Sequence, residues 1–318
     1  MKIVVTGASG HLGRYLVAQL AEAGHELVAV SRAGALPALP FGTSERRGSV
    51  RALAVDIRDD AAVAKLAREL GPEVALAHLA AWHPPATAST SAAERAALIE
   101  TNVHGTMRVL EAARSGGGGR GGVACVVYAS TFEVYAELEG GATELSESSR
   151  LAPRTDYGAT KLSGEDHLLS FADEEGTRVS ALRLPAVYGP GELTPRALPN
   201  FLRAVARGER PTIFGDGEDL RDQIHVRDAA RALACAIRGT AHGIFNVADG
   251  EKHSIAEIAR VALEVAAMPG APERKPRQKP RCDYHMDTRK AQSELAFSAT
   301  TPLRQGMAEE YAWLRAQG

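Results

Sequence analysis

Thr6-Gly7-Ala8-Ser9-Gly10-His11-Leu12-Gly13 follows the β-branched run Ile3–Thr6 and opens an amphipathic segment, Leu12–Ala23, with Leu12, Leu16 and Leu20 on one face. A strand that enters a helix through three glycines at this spacing is the turn of a dinucleotide-binding βα unit. One glycine permits the tight turn, one lets the backbone approach a pyrophosphate, and one lets the helix pack on the sheet. Free N–H groups at the helix N-terminus then face the phosphates. Gly7, Ser9, Gly10, His11, Leu12 and Gly13 are therefore the first cofactor-binding candidates. Flavin and nucleoside-sensing folds share such a turn. Its place after the very first strand favours the functional reading over a plain strand–helix connection.

Working outward, His25–Val30, Ala52–Val55, Val74–Leu79 and Val123–Ala129 are near-continuously apolar, as strands covered on both faces must be. Ala61–Leu70 reads as a helix stopped by Gly71-Pro72, and Ala92–Ala113 as one long helix. This alternation predicts an α/β fold, a Rossmann-type doubly wound parallel sheet. Ser31–Val50 reads as irregular, and Ser115–Gly122, with six glycines, as a mobile surface loop. From Leu184 onward proline and glycine punctuate shorter elements, among them Pro185, Gly189-Pro190-Gly191, Pro195 and Pro199. The expected division is a dinucleotide-binding domain over 1–183 and a smaller α/β lobe over 184–318, partly interleaved with the first.

The bulk composition excludes several classes. Hydrophobic residues make up 45% and charged residues 24% of the 318 positions, the balance of an ordinary globular protein. A net charge of −2 offers no electrostatic reason to expect nucleic acid or an anionic membrane as partner. Cys125, Cys235 and Cys282 are odd in number and scattered, with no spacing that suggests zinc, so they read as idle thiols in a reducing compartment. No apolar run approaches membrane-spanning length. Met1–Val5 runs straight into a strand, which leaves no room for a signal peptide, and a cytoplasmic location is the expectation.

At the end of the second strand, where an acidic residue would hydrogen-bond the ribose 2′-hydroxyl, stand Ser31 and Arg32. A carboxylate about 4 Å from a phosphate costs about 4 kcal/mol at an effective dielectric of 20, and arginine reverses the sign. NADP(H) is thus favoured over NAD(H), the plain alternative being that Arg32 is a solvated loop charge. Asp56, just past the third strand, can reach an adenine amino group or cap a helix, with Ile57 beside it as a further candidate. Tyr157-Gly158-Ala159-Thr160-Lys161 sets Tyr157 and Lys161 one helical turn apart on one face. That spacing suits a tyrosine used as a general base, because a nearby ammonium favours the phenolate of a group that ordinarily titrates near 10. Lys161 can also hold the cofactor ribose, and the Thr131 hydroxyl can meet the same substrate oxygen.

With these residues in place the sequence resembles the extended short-chain dehydrogenase/reductases, the NAD(P)-dependent epimerase/dehydratase family that works mostly on nucleotide sugars. The likeness runs nearly end to end. It takes in the glycine turn, His78-Leu79-Ala80-Ala81, Asn102–Thr106, Tyr128-Ala129-Ser130-Thr131, Arg183 through Val187–Gly191, and Gly215–Gly217 with Arg221-Asp222 and His225–Asp228. The resemblance implies Thr131, Tyr157 and Lys161 as catalytic residues and Leu79, Ala80, Ala81 and Asn102 as cofactor contacts. It also implies a nucleotide-sugar substrate met by Arg221, Arg277, Asn200 and His83, and a homodimer formed through the long helices. Arg277 has an even alternative as one more charge in a basic stretch.

One departure is informative. Dehydratases of the family resemble Ser-Thr-Asp-Glu-Val-Tyr-Gly, and here Phe132 replaces the aspartate while Glu133 remains. Phenylalanine donates no proton, which argues against a 4,6-dehydratase. Glu133, two residues after Thr131, would face the same side in extended backbone and could serve as a second acid or base. The leading expectation is a nucleotide-sugar 4-epimerase. An NADPH-dependent 4-ketoreductase, a nucleotide-uronic-acid decarboxylase and a non-catalytic NADP(H) sensor are the alternatives.

Overall fold

The computed structural model describes residues 1–35, 48–84, 90–119, 122–136, 144–278, 281 and 283–317. Seven parallel strands form one sheet in the order Gly243–Asn246, Arg178–Leu184, Cys125–Thr131, Val74–His78, Lys2–Thr6, Glu26–Ser31, Val50–Ala54. The first strand lies between the second and the fourth, with Thr6 flanked by Val30 and His78. The chain therefore winds outward in one direction, returns, and winds the other way. The glycine turn stands at the carboxyl edge of the sheet, at this reversal, where a parallel sheet opens a crevice.

Both faces are covered, which is why the strands are apolar almost throughout. His11–Glu22 and Val226–Arg238 close one face over Val5, Leu16, Leu27 and Leu233. Asp60–Ala67, Gly105–Gly119 and Asp156–Glu175 close the other over Val28, Leu66, Val109 and Phe171. A separate core gathers Ala197–Ala206, Ile255–Val265 and Leu303–Gln317 around Leu202, Ile258 and Met307. The helix Val226–Arg238 and the strand Gly243–Asn246 lie beyond residue 184 in sequence yet belong to the first sheet. Among the described residues no helix is long and apolar enough to cross a membrane.

Two expectations change. The long helix over 92–113 is three joined pieces, Ala92–Leu98, a π-helical stretch Ile99–His104, and Gly105–Gly119. The glycine-rich segment from Ser115 is therefore helical as far as Gly119, not a loop. Gly116 is buried against Leu70, and Ser115 donates to the Glu111 carbonyl at 2.9 Å, so tertiary packing overrides the poor helix propensity of glycine. Residues 120–121, most of the irregular stretch after Ser31 (36–47), Pro85 and Cys282 lie outside the described residues.

The turn itself is held by close packing. Gly7 has φ +70°, and a Cβ there would come within 2.6 Å of the Ala80 backbone nitrogen, at the end of the fourth strand. A Cβ on Gly13 would stand 2.2 Å from the Gly7 carbonyl oxygen. The helix thus rests directly on the turn. Gly13→Val is expected to destabilise the protein by about 1–3 kcal/mol through overpacking. Urea-unfolding midpoints check this, and a midpoint equal to wild type would show that the turn tolerates the side chain.

Candidate active site

The crevice over the glycine turn holds about 300 Å³ and is lined by Gly7, Ser9, Gly10, Ser31, Arg32, Asp56, Ile57, Leu79, Ala80 and Ala81. These are the expected cofactor positions from four different strand ends. Gly10 fits the purpose: a Cβ there would meet only the Gly7 carbonyl, at 3.3 Å, and would occupy the crevice. The residues present thus suit a dinucleotide whose pyrophosphate lies against the helix N-terminus. Ser31 is buried and donates to the Ala35 carbonyl at 3.1 Å, which leaves the exposed Arg32 as the charge at this end.

Arg58 is a crevice residue that sequence reasoning missed. It grips Asp56 through Nε at 2.9 Å and Nη2 at 2.6 Å, and this hydrogen bonding holds the Asp56 carboxyl down to about 2. Its only signal was its place two residues after Asp56. Leu12 packs on the core, and the His11 side chain turns away to Glu192 at 3.1 Å, so these two offer the crevice backbone alone. Asn102 is also differently employed. Its amide accepts from Trp82 N at 2.7 Å and donates to Trp82 O and Thr160 Oγ1 at 2.9 and 3.1 Å. It ties the loop after the fourth strand to the tyrosine helix, and both amide hydrogens are spent within the protein.

Tyr157 and Lys161 lie on the first turns of Asp156–Glu175. Thr155 caps this helix by accepting from Gly158 N at 2.9 Å and donates to Glu133 Oε2 at 2.8 Å. A Cβ on Gly158 would stand 2.4 Å from the Glu133 carbonyl oxygen, so glycine lets the helix press on the end of the strand Cys125–Thr131. Glu133 is not on an extended strand. Phe132–Val134 form a 3₁₀ turn, capped by Thr131 Oγ1 accepting from Glu133 N at 3.3 Å. The same-face argument for Thr131 and Glu133 therefore fails, although Glu133 does reach the tyrosine by another route.

Arg196 was also missed, since nothing local in the sequence marks it. Its Nη2 lies 3.3 Å from Glu133 Oε1 and 3.4 Å from His83 Nε2, and the His83 ring packs on Tyr157 with centroids 4.5 Å apart. Burial pushes the Tyr157 phenol up, the Glu133 charge pushes it further, and Arg196 pulls it down. Arg196 is thus a cation acting on the tyrosine that helix spacing did not suggest. Lys161 is 2% exposed and burial lowers it to about 7, partly countered by Glu165.

A cavity of about 370 Å³ adjoins this cluster, walled by Phe132, Glu133, Arg154, Arg196, Arg221 and Tyr284 among others. The Phe132 ring packs on Tyr284 at 4.6 Å, and Arg221 lies over the same tyrosine, also at 4.6 Å. Arg277 is not brought into the cavity wall. Asp219 holds it at 2.9 Å and Asp216 binds it as well. Asn200 is exposed on Ala197–Ala206 and accepts from Arg203 at 3.2 Å, outside the wall formed by Ala197 and Leu198. Of the expected substrate contacts, Arg221 lines the cavity and His83 touches its Arg196.

A crevice at the sheet reversal, with a buried lysine and a tyrosine one turn apart beside it, defines a nicotinamide-dinucleotide-dependent enzyme of the Rossmann type. Residues 3–248 match the NAD dependent epimerase/dehydratase family. The chain belongs to that family. It is 31% identical to a dTDP-glucose 4,6-dehydratase of Streptomyces griseus, covering 98% of this chain and 93% of the relative. It is also 31% identical to a UDP-glucose 4-epimerase of Mycolicibacterium smegmatis, over 99% of both. Among solved structures, MoeE5 in complex with UDP-glucose and NAD superposes with TM-score 0.82 at 31% identity, over 100% of this chain and 99% of the other. The UDP-glucose 4-epimerase of Thermotoga maritima with UDP-glucose gives 0.83 at 27%, again over 100% and 99%. The chain is therefore an NAD(P)-dependent, nucleotide-sugar-modifying enzyme.

The buried ammonium has a stability signature. Because Lys161 titrates lower in the folded chain than its usual 10.5, its burial costs stability fully below about pH 7, and the cost fades as pH rises toward 10.5. Lys161→Met is expected to raise the urea midpoint at pH 6, with a smaller gain at pH 9. A gain that grows with pH would contradict the assignment.

Proposed function

We propose that this chain is an NADP(H)-using nucleotide-sugar 4-epimerase, with residues 184–318 contributing most of the nucleotide-sugar lobe. The observation that carries the reading is the cluster of Tyr157, Glu133, Arg196 and His83 at the junction of the dinucleotide crevice and the arginine-lined cavity. When bound, the nicotinamide ring supplies a hydride acceptor and donor. Tyr157 takes the proton of the sugar C4 hydroxyl and gives it back, with Thr131 holding the same oxygen. Lys161 holds the ribose and keeps positive charge near the reacting oxygen. Glu133 and Arg196 act on Tyr157 with opposite sign and so set its basicity.

Arg221 is the diphosphate ligand in this reading, with Arg154 joining it from the cavity wall. Some relatives are dehydratases, but that chemistry does not transfer readily. Phe132, stacked on Tyr284, has no proton to give at the position where those enzymes resemble an aspartate. A 4-ketoreductase is the second reading, favoured by Arg32 at the ribose end of the crevice; a relative from Streptomyces bikiniensis, 28% identical, is a dTDP-4-dehydro-6-deoxy-D-allose reductase.

The deciding experiment incubates purified protein with a panel of nucleotide sugars and either cofactor, following products by mass and anomeric NMR. Interconversion at unchanged mass with no net loss of cofactor is expected. Stoichiometric NADPH oxidation with a 4-keto sugar would replace the epimerase with the reductase, and release of water or carbon dioxide would sink both. In the cofactor arm, Arg32→Ala is expected to weaken NADPH binding about 10- to 100-fold with little effect on NADH, as for loss of a hydrogen bond to a charged group. Equal effects on both would return Arg32 to a solvated loop charge.

A homodimer is part of the proposal. Ile99 and Met107 are 47% and 45% exposed on the helical run 92–119, an apolar surface suited to a second copy. Light scattering is expected to give twice 33.6 kDa. Ile99→Arg with Met107→Arg should give the single mass, and a wild-type monomer would refute the dimer.

A further inference from the structure

We propose that Tyr128 is the positioning residue for Lys161, its ring face holding the buried ammonium in its charged form. This rests on the reading of Lys161 as part of the hydride-transfer machinery. The ammonium lies 3.9 Å from the centroid of the Tyr128 ring. Tyr128 is 1% exposed and Lys161 2%, so the contact is almost wholly removed from water, where a cation–π interaction is strongest. Among the described residues, Lys161 Nζ has no carboxylate within salt-bridge distance and no hydrogen bond. The π face is thus in direct contact with the ammonium and favours its charge.

The groups around it are arranged consistently with this. On the same helix stand Tyr157 and Glu165, and Glu165 raises the lysine's basicity from one turn away. Its carboxylate is already shared, however. Arg183 donates to it through Nε at 3.0 Å and Nη2 at 2.7 Å, and Ser130 donates to it as well. From the fourth strand comes His78, stacked on Tyr128 with centroids 5.6 Å apart. Its nitrogens face Thr6 at 2.7 Å and Thr106 at 3.0 Å, and burial together with the Lys161 charge lowers it to about 3. The histidine is therefore neutral and places no second positive charge on the Tyr128 ring.

Gly164, one turn past Lys161, completes the fit. A Cβ there would come within 2.2 Å of Tyr128 Oη, so glycine admits the tyrosine under the helix. Tyr128 stands two residues before Ser130, at register with His78 and Ala181 in the centre of the sheet. The strand that presents Thr131 at its tip therefore presents the lysine's support at its middle.

The test is a direct titration that needs no sugar. The full-length chain has only seven lysines, so ¹³Cε-lysine labelling resolves Lys161, assigned by its loss in Lys161→Met. The titration is run on the free protein and with NADP⁺. Tyr128→Phe keeps the π face and is expected to leave the Lys161 titration within a few tenths of a unit of wild type. Tyr128→Leu is expected to lower it by about one unit, a tenfold change in the protonation equilibrium. Since leucine can disturb the packing under Gly164, a series of increasingly fluorinated phenylalanines at position 128 drains the ring quadrupole while keeping its shape. A stepwise fall in the Lys161 titration with fluorine content supports the proposal. A titration that ignores both leucine and fluorination overturns it, as does a Tyr128→Phe shift as large as that of Tyr128→Leu. None of these readouts depends on which sugar reaction the chain performs, so a failed epimerase reading and a failed Tyr128 role are told apart.

Discussion

An ammonium taken out of water loses solvation worth several kcal/mol even after the protein relaxes around it, and Lys161 stands 2% exposed at the centre of the active-site layer. Much of the local architecture follows from accommodating it. Gly158 and Gly164 flank the lysine three residues to either side and let the helix come down onto the strand Cys125–Thr131. With larger residues at both positions the helix would stand off, water would reach the lysine, and Tyr157 would leave its place beside Glu133 and Arg196. What remains of the cost is offset by the ring of Tyr128 and, at longer range, by Glu165.

The second constraint is the ion pair between Arg183 and Glu165, whose side chains are 3% and 2% exposed. Removing one member of such a pair leaves a buried charge without compensation, typically at a cost of about 3–5 kcal/mol. Arg183 also donates to Tyr135 Oη at 2.9 Å, and Tyr135 in turn donates to Asn246 at 2.6 Å. One guanidinium thus joins the tyrosine helix, two sheet strands and the segment after the 3₁₀ turn. It stands at the chain's exit from the first sheet toward the cavity, so the junction between crevice and cavity is braced by charge as well as by packing.

Much of the fold was legible because each strand is buried on both faces and each covering helix on one. That leaves an apolar run or an amphipathic period in the residues themselves. The glycine turn was legible for the same local reason. The glycine-rich end of Gly105–Gly119 was not: propensity favours a loop there, whereas the helix continues through Gly116, which packs on Leu70. Glu133 was expected to face the same side as Thr131 on an extended strand, but the backbone after Thr131 curls into a 3₁₀ turn. Asn200 and Arg277, expected in the substrate site from resemblance, stand outside the cavity wall, on the helix surface and on Asp216 and Asp219.

By itself the sequence determined the parallel α/β architecture, the dinucleotide turn and the tyrosine–lysine pair, because each is written within a stretch short enough for spacing to fix geometry. Only the tertiary structure decided which charges act on that pair. Arg196 reaches Tyr157 from a segment 39 residues away in sequence, Arg58 enters the crevice beside Asp56, and Tyr128 meets Lys161 across the helix–sheet interface. Coulombic and cation–π interactions depend on distance and on the dielectric around them. Neither quantity is carried by a local pattern of residues, so the electrostatics of the site emerge only when the strands and helices are brought together.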